Sequence, residues 1–192
     1  MEENRVESQH KLIVIGGSAG SLAVLFKLLP KLRSDLSIPI LIVLHRRSSG
    51  DSSLADLLGT KTNIPITEVD DKDQIQPSHI YLAPSDYHVL IEKDFTFALD
   101  YSEKINFSRP SLDVTFESAA EIYGESVVGI ILSGANEDGT KGLLEIKKNG
   151  GTIIAQDPQT AQMPVMPQNA ILRANINLVY SVQEMIDFIN SI

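Results

Sequence analysis

Cysteine is absent from the 192 residues, which excludes disulfides, thiolate metal sites and a cysteine nucleophile. Basic side chains are scarce: 16 Lys and Arg stand against 25 Asp and Glu, a formal charge of −9. Nucleic-acid binding without sequence preference depends on clustered cations. Only "HRR" at 45–47 and "IKKNG" at 146–150 are dense in them, so no nucleic-acid partner is expected. No apolar run reaches the ~18 residues a membrane span needs, and the polar start "MEENRVESQHK" is unlike a signal peptide. A cytoplasmic protein with no membrane insertion is the expectation. His10, His45, His79 and His88 pair with no second ligand at metal spacing, so neither a metal nor a cofactor is expected.

What the chain has is 43% hydrophobic content arranged in a regular rhythm. Short Ile/Val runs alternate with longer segments of helical spacing, the pattern of βαβ units on a parallel sheet. Strands are expected at "KLIVIGG" (11–17), "IPILIVLH" (38–45), "SVVGIILSG" (126–134), "GTIIAQ" (151–156) and "INLVY" (176–180). Helices are expected at 21–32, at 51–59 with an Asp or Ser cap, at 109–124 opened by Pro110 and Ser111, at 138–150, in a short piece ending at Arg173, and at 181–192. In the middle, "HIYLAP", "YHVLIEK" and "FTFALDY" are short and closely spaced, and predict a small antiparallel insertion. The fold class is therefore α/β: a doubly wound, mostly parallel sheet with a small antiparallel β insertion. It forms a single domain over 11–192 behind a polar tail, 1–10.

The turn after the first strand, Gly16-Gly17-Ser18-Ala19-Gly20, admits several readings. A dinucleotide fingerprint needs G-x-G-x-x-G and an acid after the second strand; its first glycine would be Ile15, and the residue after that strand is His45. A phosphate-binding loop lacks its Gly-Lys-Ser/Thr. As G-x-S-x-G, small residues let the chain turn sharply and hold the Ser18 hydroxyl open to attack, and the following helix offers free amides to an oxyanion. The plain alternative is a serine that caps this helix.

A nucleophilic serine needs a base and a carboxylate to orient it. His45 comes directly after the second strand, and Asp138 comes after the third, in "SGANEDGTKG". All three would leave the sheet at its carboxyl edge, where open α/β sheets bind ligands. Asp138 could instead, or also, cap the helix it precedes, and Glu137 is a neighbouring carboxylate. Candidate oxyanion donors are the amides of Ala19 and Ala135. Arg46 and Arg47 would form a basic rim, and Met163 and Met166, in "DPQTAQMPVMP", an apolar lip over the cleft; solvated surface and helix packing are the respective alternatives.

Six segments, "VIGGSAGS", "LHR", "IYLAPSDYHV", "RPSLDVTF", "VVGIILSGANEDGTKGL" and "MPQNAI", occur in an order that resembles the catalytic domain of the CheB family of chemotaxis protein-glutamate methylesterases. The resemblance implies a hydrolase that removes methyl esters from glutamates on the cytoplasmic helices of methylated chemoreceptors, and in many members deamidates glutamines there. It implies Ser18 as nucleophile, His45 as base and Asp138 as its orienter. Ser-Ala-Gly-Ser at 18–21 replaces the family's usual Ser-Thr-Gly-Gly, Ala135 stands where the family has Met, and Arg46-Arg47 replace Met-Pro. With only about ten residues before the first strand, no receiver domain is expected, so control would fall to a separate regulatory protein unless the chain acts alone or is a fragment. A non-catalytic module binding receptor or signalling proteins, and an esterase acting on another substrate, are the competing readings.

Overall fold

A computed structural model describes residues 11–46 and 53–192. The expected tail 1–10, Arg47 and the Asp51–Ser52 cap lie outside the described residues. Strands β1 (Leu12–Gly17), β2 (Ile40–Leu44), β3 (Ile66–Glu68), β4 (Ile80–Leu82), β7 (Val127–Ile131), β8 (Thr152–Gln156) and β9 (Leu178–Tyr180) build one sheet, and β5 (His88–Ile91) and β6 (Phe97–Asp100) a separate hairpin. Helices are α1 (Ser21–Leu28), α2 (Ser53–Gly59), α3 (Leu112–Tyr123), α4 (Thr140–Lys148), α5 (Val165–Ala174) and α6 (Val182–Ser191).

The main sheet runs β3-β4-β2-β1-β7-β8-β9 with every pair parallel. Its central strands are buried on both faces, and residues alternate between them as the two-residue period requires. Leu12 and Val14 of β1 and Leu41 and Val43 of β2 join the core under α3, α4 and α5, with Phe116, Leu143 and Met166. Ile13, Ile15, Ile40 and Ile42 turn to the opposite core with Leu25 and Leu28 of α1, Leu58 of α2, and Met185 and Ile189 of α6. Each such fully buried side chain contributes about 1.5–3 kcal/mol of transfer free energy. The chain builds outward from β1 first through β2 and then, from β7, in the other direction. The crevice beyond the carboxyl ends of β1 and β7 is thus a topological switch point.

Two expectations need correction. "HIYLAP" belongs to the main sheet, because Ile80–Leu82 pairs in parallel with both β2 and the edge strand Ile66–Glu68, which the sequence did not mark. Only the other two segments form the insertion, with His88 opposite Asp100 and Ile91 opposite Phe97. A run of three apolar residues fits a hairpin or a parallel edge equally well; β2 decides by offering an unpaired side. The helix at 21–32 also ends early, at Leu28, with Pro30 in a single tighter turn after it.

Helices α3 and α4 cross where Gly142 meets Phe116. A Cβ on Gly142 would lie 2.4 Å from Phe116 Cβ and 2.9 Å from the Asp113 carbonyl, neither of which can swing away. Gly142→Ala is therefore expected to destabilise the protein by about 1–3 kcal/mol, although alanine is the better helix former by roughly 1 kcal/mol. Gly59→Ala, with nothing within 4 Å, should be neutral or slightly stabilising. Urea unfolding midpoints of the two variants check this.

Candidate active site

The turn after β1 owes its shape to two glycines. Gly20 sits at φ 84°, a left-handed conformation that favours glycine, and a Cβ there would lie 2.6 Å from Ser133 Oγ. A Cβ on Gly17 would lie 2.6 Å from Ser21 Cβ. The N-cap of α1 is Gly20 and no side chain caps it, so the Ser18 hydroxyl is not spent as a helix cap. Among the described residues it makes no hydrogen bond. The Ser18 amide donates to the Ser133 carbonyl at 2.9 Å, and the Ser18 carbonyl accepts from Ser21 Oγ. Ser133, fully buried, donates its own hydroxyl to the Ala19 carbonyl at 2.7 Å and receives the Met163 amide at 2.9 Å.

Gly17 pairs with Leu44 across β1 and β2, and the His45 amide donates to the Gly17 carbonyl at 3.1 Å. Ser18 and His45 therefore each follow directly on the paired ends of two adjoining strands, whose spacing is about 4.8 Å. The imidazole turns its Nε2 to Asp138 Oδ2 at 2.7 Å. Its Nδ1 faces Ser108 Oγ at 3.3 Å, with Asn136 Nδ2 at 3.5 Å. The structure brings His45 and Asp138 into contact, while Ser18, just past the end of the adjoining strand, makes no hydrogen bond to the ring among the described residues.

Asp138 is 0% exposed. It does not cap α4, whose N-cap is Gly139; it caps α3 instead. It accepts from the amides of Leu112 (2.6 Å) and Asp113 (3.3 Å), from Ser111 Oγ (3.0 Å) and from Asn106 Nδ2 (3.0 Å). The N-terminal dipole of α3 adds to this favourable field. In return Asp113, in the first turn of α3, accepts the Gly142 amide at the start of α4 at 2.8 Å, so each carboxylate caps the other's helix. Asn106 Nδ2 bridges the pair, 3.0 Å from Asp113 Oδ2.

The two acids respond oppositely. Burial works against ionised Asp138, but hydrogen bonds from His45, Asn106 and Leu112 outweigh it and hold the group at about 2. Burial pushes Asp113 up to about 6, and the nearby Asp138 charge adds to the rise, against the Gly142 amide. Glu137, the rival orienter, is exposed and paired with Arg173 at 2.6 Å.

Other expected site residues divide. The Ala19 and Ala135 amides lie at the same sheet edge and donate no hydrogen bond among the described residues. Arg46 lines a cavity of about 370 Å³ with His45, Asp86, Lys104, Phe107, Ser108 and Arg109, while its guanidinium holds Glu68 at 2.6 Å. Met163 is half-buried and acts through its backbone, its carbonyl accepting the Gly134 amide at 3.0 Å. Met166 is not part of a lip: it is 0% exposed and packs in the core against Gly134, because α5 begins at Val165 and turns Met166 inward. Sequence reasoning missed Asn106, Ser108, Ser111, Asp113 and Ser133. Their one signal was polarity inside "NFSRPSLD" and "LSG", which spacing alone does not separate from ordinary loop polarity.

Fold and site together define a doubly wound α/β protein that gathers a serine, a histidine and a buried carboxylate at the carboxyl edge of its sheet. A family model described as CheB methylesterase matches residues 13–189. A Leptospira interrogans protein, provisionally named protein-glutamate methylesterase/protein-glutamine glutaminase, is 43% identical over 176 residues, 92% of this chain and 91% of that protein. A Thermotoga maritima protein of the same name is 37% identical over 164 residues, 84% of this chain but 48% of its own length. The crystal structure of the Thermotoga maritima CheB methylesterase catalytic domain matches with a TM-score of 0.90 at 33% identity, covering 95% of this chain and 98% of that one. This chain belongs to the CheB methylesterase family.

The raised Asp113 acid has a consequence for stability. Its folded value, about 6, exceeds the unfolded value of about 4. Its contribution is therefore full below pH ~4 and is lost as pH rises through 6, a change of about 2–3 kcal/mol. Wild type should lose more stability than Asp113→Asn between pH 4.5 and 7.5, read as urea midpoints at the two pH values. The Asp138 contribution has the opposite sign and is lost only below pH ~4, outside that window.

Proposed function

We propose that this protein hydrolyses glutamate methyl esters on proteins, and also glutamine side-chain amides, by acyl transfer through Ser18. The names carried by its relatives supply the substrate class. The observation that carries the mechanism is the 2.7 Å His45–Asp138 pair, with His45 directly after the strand that adjoins the Ser18 turn. Because Nε2 donates its proton to Asp138, Nδ1 keeps its lone pair and is the nitrogen that acts as base. The Ser18 hydroxyl, without another partner, rotates towards Nδ1 as it attacks the ester carbonyl. The proton passes to Nδ1, and Asp138 stabilises the imidazolium formed.

The Ala19 and Ala135 amides hold the oxyanion, each worth about 3–4 kcal/mol where such donors have been removed. The intermediate collapses, His45 returns the proton to the departing methoxide, and methanol leaves; for a glutamine the leaving group is ammonia. Water, deprotonated by the same nitrogen, then frees glutamate and restores Ser18. The methylated chemoreceptor helices of the cytoplasm are the substrate that the family resemblance supplies.

Ser18→Ala should abolish methanol release from a methyl-esterified protein and labelling by a fluorophosphonate, both of which wild type shows. Asp138→Asn should lower turnover by about 10³–10⁴ and also lower Tm, because a cap of α3 weakens. Equal methanol release by wild type and Ser18→Ala would end the mechanism. A wild-type Ser18 that no probe labels would favour the non-catalytic binding module.

A further inference from the structure

Phe107 is the most exposed large apolar side chain described in the molecule, at 98%. It stands at φ 62° directly after Asn106 at φ 50°. These are the central positions of a tight turn closed by reciprocal backbone bonds between Ile105 and Ser108, at 3.1 and 2.9 Å. Turns with two positive φ values are made mostly from Gly, Asn or Asp. An aromatic residue in the second place is both strained and left in water, and such strain gathers where structure serves function. The turn is held from below on both flanks: Asn106 bridges Asp138 and Asp113, and Ser108 faces His45. His88, buried, adds a third anchor by donating to the Glu103 carbonyl at 3.0 Å. The ring of Phe107 is thus carried on a braced tip at the rim of the cavity that contains His45.

The surroundings share its character. Ile105 is exposed two residues before it. Tyr87 and Tyr101 are exposed with their rings 5.5 Å apart, and Tyr101 stacks under the Arg109 that lines the same cavity as Phe107. With Phe107 these are four of the seven exposed large apolar side chains described. Charge is inverted there as well. The chain carries −9 overall, yet the cavity is lined by Arg46, Lys104 and Arg109 against Asp86 alone. Two of these cations are committed: Arg46 to Glu68, and Arg109 to the Ser102 carbonyl and, 3.8 Å away, the ring of Tyr101. Lys104 is exposed and has no partner among the described residues.

We infer that residues 104–109 form the docking element for an acidic polypeptide segment that carries the ester. Phe107 seats against an apolar side chain of the segment, and the Lys104 ammonium meets one of its carboxylates. This rests on the reading of the protein as an esterase of protein glutamates; it adds which residues choose the substrate. Local cationic charge on an acidic protein gives orientation and selectivity towards an anionic partner, and an exposed aromatic is the type of side chain that anchors such contacts.

The test uses a fluorescein-labelled, glutamate-rich peptide bearing one γ-methyl ester, bound to the full chain carrying Ser18→Ala. Phe107→Ala and Lys104→Glu should each weaken anisotropy-measured affinity by about tenfold or more, and Lys104→Arg should retain it. Phe107→Gly, which relieves the backbone strain, should lose binding as Phe107→Ala does. In proteins with Ser18 intact, the ratio of kcat/KM on the peptide ester to that on p-nitrophenyl acetate should fall by about tenfold. Unchanged binding in both variants would overturn the inference. So would equal losses on the two esters, which would mean the turn serves His45 alone, or sedimentation showing that this face pairs two copies of the chain. Peptide binding that depends on Phe107 without any methanol release would refute the esterase reading and leave the docking element standing.

Discussion

A single buried carboxylate organises the carboxyl edge of this sheet. Removing an ionised Asp138 from water costs several kcal/mol unless its lone pairs are filled, and a carboxylate has about four sites to fill. Here five donors converge on it: His45 Nε2, Asn106 Nδ2, Ser111 Oγ and the amides of Leu112 and Asp113. They come from the end of β2, from the turn at 105–108 and from the first turn of α3, so the charge ties three distant segments to the strand end of β7. The histidine tautomer is a consequence. A carboxylate held ionised can only accept, so Nε2 must donate and Nδ1 must be the basic nitrogen.

The same arrangement explains why a second acid lies so close. Helices α3 and α4 both begin at this edge, and each has orphan amides to satisfy. Neither is capped by its own preceding side chain: Ser111 directs its hydroxyl to Asp138, and Gly139 has none. Exchanging caps, Asp138 to α3 and Asp113 to α4, satisfies both and locks the helices together where Gly142 allows close approach. Burial, and after it the repulsion from Asp138, pushes Asp113 towards its neutral form, since it has no imidazole to offset them. Asn106 gives the pair a shared donor without adding charge.

The sequence makes legible what is local or periodic. Strands β1, β2, β7 and β8 announce themselves by Ile/Val runs, and Ser18, His45 and Asp138 are found by inspecting the loop just beyond each of three strands. What it hides is pairing across distance. Asp138 reads as a candidate cap for α4 because helix caps are normally adjacent in sequence, and nothing in "NEDG" reports that α3 begins nearby in space. Met166 looks available because Pro164 and Pro167 suggest a loop, yet Pro167 is tolerated in the first turn of α5, where its missing amide would have had no helical partner anyway. Asn106 and Ser108 sit in a stretch whose polarity is that of any surface loop, and only the turn's doubly positive φ, invisible in sequence, aims both side chains inward while Phe107 points out.

The site is rigid at one end and open at the other, and the contrast has a mechanistic sense. His45 is clamped to Asp138, and its free nitrogen rests against Ser108 Oγ, a weak 3.3 Å contact. Ser18 Oγ has no hydrogen bond to break among the described residues. In the proposed mechanism little opposes the exchange of one hydroxyl for another at Nδ1, since only the long Ser108 contact has to be given up. Hydrogen bonds to a nucleophile often tighten only when substrate is bound, whereas errors in the base cannot be repaired late: a rotated imidazole or the wrong tautomer turns its lone pair away from the hydroxyl. On the proposed mechanism the fold places its strongest polar network beneath the group whose orientation must be correct beforehand, and leaves the proposed nucleophile on a glycine turn with freedom to complete the geometry.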